Sequence, residues 1–148
     1  MKELKLGKFY YEISRYNPPA LTITPGETVV VEAEDTWSGE IRKEGDTRDW
    51  DKVPYGNPLA GPIYVEDAER GDALAVYIEK IDALRGQAAI CTDGPRGLGE
   101  HLGTDVPHGY RICPVEDGKV WWSSHLALPY KPMIGTIGCA PEIGVPTS

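Results

Sequence analysis

Residues 21–35 read LTITPGETVVVEAED, and this stretch sets the class of fold. Leu21, Thr22 and Ile23 suit a strand. Pro25-Gly26 is a turn signal, because proline presets one central backbone angle and glycine accepts a positive φ at the next. Beyond it Val29, Val31 and Ala33 alternate with Thr28, Val30 and Glu32, the two-residue period of a strand with one face turned inward. Strand, turn, strand is the expectation.

The same pattern extends outward. YRICPVEDGKVWW, residues 110–122, reads as a hairpin turning at Asp117-Gly118, a pair suited to positive φ at both central positions. Tyr110 and Ile112 share one face of its first strand, and Val120 and Trp122 one face of its second. DALAVYIEKIDALRG, residues 72–86, fits a strand through Leu74, Val76 and Ile78 and a helical stripe through Leu74, Ile78, Ile81 and Leu84. Its β-branched content and the Gly71-Asp72 turn before it favour a strand. Val29, Val31, Leu74, Val76 and Ile78 are therefore expected in one core. With 13 prolines and 17 glycines there is little room for long helices. An all-β fold follows, a β-sandwich or jelly-roll-like domain with long loops, in a single domain over residues 1–148. The longest loop, residues 92–109, fits a lid, a binding loop or a surface excursion.

Composition narrows the function. The chain of 148 residues is 41% hydrophobic and 26% charged, enough for one packed domain and too apolar for disorder. A formal net charge of -8 and the absence of a basic stripe argue against nucleic acid. No apolar run is long enough to span a membrane, and the opening MKELKLGKFYYEISRY lacks the apolar core of a signal peptide. Cys91, Cys113 and Cys139 are odd in number and lack CxxC spacing, which suits a reducing cytoplasm.

Common catalytic motifs are absent, including GxSxG, HExxH and the phosphate-binding GxxxxGK[ST]. His101, His108 and His125 are too scattered for a local metal motif, although folding could join Glu100, His101 and His108 as ligands. VEAEDTWSGEI, residues 31–41, is more suggestive. Carboxylates at a strand end beside an aromatic and a glycine can bind a metal or act as acid or base. They also suit a turn in which Asp35 and Thr36 bond the backbone. Cys139, among small residues, fits a ligand-facing thiol or, more commonly, a buried inert one.

Three segments carry a family resemblance. PPALTITPGETVVVEAEDTWSGEI (residues 18–41), NPLAGPIYVEDAERGDALAVYIEKI (57–81) and LPYKPMIGTIGCAPEIG (128–144) resemble, in order, hallmark segments of the acetamidase/formamidase family. The resemblance implies hydrolysis of the C–N bond of small linear amides, such as formamide or acetamide, with release of ammonia. It implies a jelly-roll architecture, a homo-oligomer and a divalent metal, zinc or calcium, to activate water. Asp35 matches the family's acidic position and is the expected catalytic residue and metal ligand. Asn57, Pro58, Gly61 and Glu40 are expected to bind substrate. Residues 57–65 would wall the cavity, with Ile63 and Val65 anchoring them to the core.

There are departures from the family pattern. Ser38 and Glu40 stand where the family has Gly and Gln, and Asp67 replaces a common Gly. The family also continues about twice as far, to a His-Gly-Gly-Asn-x-Asp stretch. The resemblance therefore covers the amino-terminal half of the enzyme pattern. A second chain carrying the carboxy-terminal half is one expected partner, and an apolar face involving Trp121, Trp122 and Met133 is expected to meet it. The alternatives are a non-catalytic β-domain that binds a small metabolite or serves in assembly, and a metal-dependent hydrolase built on Glu100, His101 and His108.

Overall fold

The structure is a computed structural model that describes residues 1–92 and 109–147. Its strands, in chain order, are β1 (Lys2–Leu4), β2 (Glu12–Ile13), β3 (Leu21–Ile23), β4 (Val29–Val31), β5 (Ile63–Val65), β6 (Gln87–Thr92), β7 (Gly109–Glu116), β8 (Lys119–Ser123), β9 (Leu126–Pro129) and β10 (Val145–Pro146). No helix occurs among the described residues, so the all-β expectation holds. Among them, therefore, no helix is long and apolar enough to cross a membrane.

The chain forms two compact units. The first comprises residues 1–38, 50–80 and 134–148, and the second residues 39–49 and 81–133.

In the first unit β3 and β4 flank the expected turn. Glu27 N–H donates to the Thr24 carbonyl at 3.2 Å, and Gly26 takes a φ of 86°. The two strands do not pair with each other. β3 runs parallel to β5, with Leu21 opposite Ile63 and Ile23 opposite Val65, whereas β4 runs parallel to β1. β10 pairs antiparallel with β2. Residues 57–65 lace these pieces together. Tyr10 and Leu59 exchange backbone hydrogen bonds, and Ala20 N–H donates to the Pro62 carbonyl at 2.9 Å. Ile63 and Val65 are half-buried on β5.

The second unit is built on a four-stranded antiparallel sheet in the order β6-β7-β8-β9. Its central hairpin turns where expected, with positive φ at Asp117 (50°) and Gly118 (69°). Tyr110, Ile112, Val120 and Trp122 are half-buried. Cys113 and Ile41 are fully buried, and Gln87 Nε2 donates to the Arg42 carbonyl at 3.2 Å, joining residues 39–49 to β6.

Three expectations fail. Residues 73–83 form no strand, and Leu74, Val76 and Ile78 are exposed rather than in a core. A strand needs a neighbour for its backbone groups, and the described residues supply none. Val31 is also exposed, and Val29 only half-buried, because three-residue β4 has a single neighbouring strand among the described residues. Trp121 and Trp122 are half-buried, with the Lys119 ammonium 5.8 Å from the first ring centre and the Arg111 guanidinium 4.7 Å from the second. Met133 is exposed as expected. Cys139 is exposed rather than buried. Between Thr92 and Gly109, the loop with Glu100, His101 and His108 lies outside the described residues.

Candidate active site

The chain leaves β4 through Glu32, Ala33 and Glu34 and turns at residues 35–38. Asp35 makes that turn in two ways. Its carbonyl accepts from Ser38 N–H at 3.0 Å, and its Oδ1 accepts from Trp37 N–H at 2.9 Å. The second bond is an Asx turn, in which a short carboxylate stands in for backbone. Of the two alternatives read from the residues, the turn-closing one is therefore seen at Asp35. It closes the turn through one oxygen, and it remains an exposed carboxylate.

Ser38 follows at a φ of 57° and Gly39 at 72°, which accounts for glycines in the family's turn. Ser38 keeps the left-handed conformation while its hydroxyl meets the Tyr11 hydroxyl at 2.7 Å. The Tyr11 and Tyr55 rings lie 5.7 Å apart.

Asn57 joins this turn. Its N–H donates to the Thr36 carbonyl at 2.9 Å, and its Oδ1 accepts from Thr36 Oγ1 at 2.5 Å. Its Nδ2 donates to the Thr147 carbonyl at 3.0 Å. The donor and acceptor expected of Asn57 are thus both used within the protein, although the amide retains a second N–H. Asn57 sits at a φ of 52°, a conformation asparagine tolerates better than most residues. Pro58 and Gly61 are buried beside it in sequence. Gly61 has a φ of 105° and precedes a cis Gly61-Pro62 bond.

Gly61 and Ala60 border a recess of about 140 Å³ whose other walls include Phe9, Tyr10, Lys5 and Glu32. That volume is below the several hundred Å³ usual for ligand pockets. Asp35 and Asn57 do not line it. Glu32 is held below the usual carboxylate range by the Leu6 N–H and then by Lys5.

Glu40 belongs to the second unit. Its carboxylate lies 3.8 Å from Nε of Arg48, whose side chain is fully buried. A buried guanidinium needs an anion, so the Glu that replaces the family's Gln has a structural partner. The structure thus ties Asp35's turn to Asn57, keeps Pro58 and Gly61 in the adjoining segment, and gives Glu40 to Arg48. Thr147, which fastens the Asn57 loop, and Tyr11, which meets Ser38, carry no signal in their sequence neighbourhoods, whereas Ser38 lies in the suggestive stretch 31–41.

Among the described residues, no three His, Cys, Asp or Glu side chains come together to hold an ion. Asp35 alone does not make a metal centre.

The Asp35 turn and the Asn57–Pro62 stretch lie within two of the three segments that resemble the acetamidase/formamidase family. The chain belongs to the Acetamidase/Formamidase family, whose model matches residues 12–148. It is similar to a predicted acetamidase/formamidase from the thermophile Thermoanaerobacter tengcongensis at 34% identity and a TM-score of 0.85, over 98% of this chain and 48% of that one. An acetamidase from Yersinia enterocolitica matches at 37% identity and a TM-score of 0.74, over 93% and 45% of the two chains. An acetamidase from Bacillus halodurans matches at 30% and 0.73, over 94% and 46%. The chain spans about half the length of these solved relatives. Among curated proteins, none matches it.

Proposed function

We propose that the chain is the amino-terminal half of an amidase that hydrolyses the C–N bond of a small linear amide, formamide or acetamide, and releases ammonia. Family membership supports the reaction class. The observation that carries the site is the Asp35 turn, in which an exposed residue's Oδ1 accepts from Trp37 N–H and the turn is tied to Asn57 through Thr36. In this reading Asp35 takes a proton from the attacking water and returns it to the leaving nitrogen. The second N–H of Asn57 faces the substrate oxygen, and Pro58 and Gly61 hold the wall beside it.

The rest of the site comes from the carboxy-terminal half of the family pattern, in a cytoplasmic, oligomeric enzyme. The chain matches 45–48% of each solved relative, so the groups that complete the site are sought in the unmatched part. The test is to purify the 148-residue chain, determine its mass in solution, and assay ammonia release from formamide and acetamide. Little or no activity is expected of the chain alone. A monodisperse monomer with full activity would sink the reading of a divided enzyme.

A further inference from the structure

Residues 71–80 are exposed without exception, yet they are not polar. Leu74 is 53% exposed, Val76 56%, Tyr77 88% and Ile78 47%. Single exposed apolar side chains are ordinary, but four within five residues are not. No backbone hydrogen bond to another described residue reaches residues 73–79.

The stretch is nevertheless held at both ends within the first unit. At its start Asp72 N–H donates to the Glu69 carbonyl at 3.1 Å, and Asp72 Oδ2 accepts from Glu69 N–H at 2.8 Å. Near its end Glu79 accepts from the Thr28 hydroxyl at 3.2 Å, just before β4, whose Val30 and Val31 are themselves exposed. A segment with alternating apolar residues, open backbone groups and fixed ends is prepared for strand addition, because little ordering remains to oppose binding.

We propose that residues 73–79 are a docking strand, covered by a strand from the carboxy-terminal half of the family fold. This deepens the half-enzyme reading and rests on it. That occupant follows from length, since each solved relative contains about as much chain again outside the part matched here. The added strand takes the open N–H and C=O groups, and its side chains cover Leu74, Val76 and Ile78.

The test uses the 148-residue chain and, as probe, the half of the Thermoanaerobacter tengcongensis relative that this chain does not match, made as a separate polypeptide. Light scattering should show a one-to-one complex. Amide hydrogen exchange at residues 73–79 should slow roughly tenfold or more in it. The double variant Val76→Asp/Ile78→Asp should keep the circular dichroism of the parent, because both side chains are exposed, and bind the probe roughly tenfold or more weakly. Failure to form a complex overturns the proposal, as does a complex in which exchange at 73–79 is unchanged or the double variant binds as well as the parent. Slowed exchange that grows with the chain's own concentration, without probe, would instead assign the surface to a second copy. Ammonia release from the same complex separates the two readings. A protected but inactive complex leaves the docking strand standing and removes the amidase reading.

Discussion

Asn57 and Thr147 are bound to each other across 90 residues of sequence, the Asn57 amide donating to the Thr147 carbonyl at 3.0 Å. The Thr147 hydroxyl is shared between the carbonyls of Tyr11 at 3.2 Å and Gly56 at 3.1 Å. The last described segment thus fastens the loop that carries Asn57, and Asn57 in turn fastens the turn that carries Asp35. Asn57→Ala removes two side-chain hydrogen bonds, each contributing about 1 kcal/mol, and places alanine at positive φ. We expect a loss of about 2–4 kcal/mol in denaturant unfolding. Asn57→Gly keeps the backbone conformation and should lose less, which isolates the contribution of the hydrogen bonds.

Glu40 tests why a family Gln became a carboxylate here. Its partner Arg48 has a fully buried side chain. Glu40→Gln leaves a buried cation without this charge, at an expected cost of about 1–3 kcal/mol. A melting temperature within a degree of the parent would show that other groups suffice to hold Arg48.

Asp67 offers a backbone test. It takes a φ of 60° in the turn where Ala68 N–H points to the Val65 carbonyl at 3.4 Å. The family's usual glycine at this position has a physical cause, because only glycine adopts that region without cost. Asp67→Gly should leave stability unchanged or slightly raised, whereas Asp67→Ala should lower it by about 1 kcal/mol. Thermal unfolding of the two variants beside the parent decides it.

These positions show what was legible in the sequence. Turn chemistry is local, so Pro25-Gly26 and Asp117-Gly118 identified their turns from adjacent residues alone. Strand pairing is not local. Alternation at Leu74, Val76 and Ile78 signals a face suited to burial, but it does not name the partner, and the described residues contain none. Similarly, the parallel pairing of β3 with β5 joins Leu21 to Ile63, a match of two apolar stretches that no turn announces. The site was partly legible because Asp35 and Asn57 lie inside family-like segments. Thr147 was not, since its role depends on where β10 returns in space.

Acid should weaken the fold in a defined way. Glu27 lies below its ordinary value of 4.5, first through the Thr24 N–H and then through Lys2. Glu32 does so through the Leu6 N–H and then Lys5. Asp46 lies below 3.8 through the N–H groups of Arg42 and Lys43. For a depressed carboxylate the folded state favours the ionised form, so its stabilisation is present above the unfolded pKa and is lost as pH falls through the folded one. The melting temperature should therefore decline as pH drops below about 4.5. Glu32→Gln retains an acceptor for Leu6 but has no charge to titrate. It should melt lower than the parent at neutral pH and lose less on acidification. An equally steep decline in that variant would remove Glu32 from the account.

Asp35 is the decisive residue for the proposed chemistry, and its geometry permits a clean substitution. The Oδ1 atom serves the turn by accepting from Trp37 N–H at 2.9 Å, and an asparagine side-chain carbonyl can accept that bond equally well. Asp35→Asn should therefore leave the turn, the Thr36–Asn57 contact and the melting temperature close to those of the parent. What it removes is the negative charge and the ability to take a proton. If Asp35 is the base for water attack, kcat/KM for formamide and acetamide in the assembled enzyme should fall by about 10²-fold or more. Asp35→Ala should lose activity similarly and stability in addition, because its turn loses the acceptor. The comparison distinguishes chemistry from scaffolding: activity lost in both variants with stability lost only in alanine assigns Asp35 to the reaction. An asparagine variant with unchanged kcat/KM would leave Asp35 as a turn residue and move the search for the base to the other half of the enzyme.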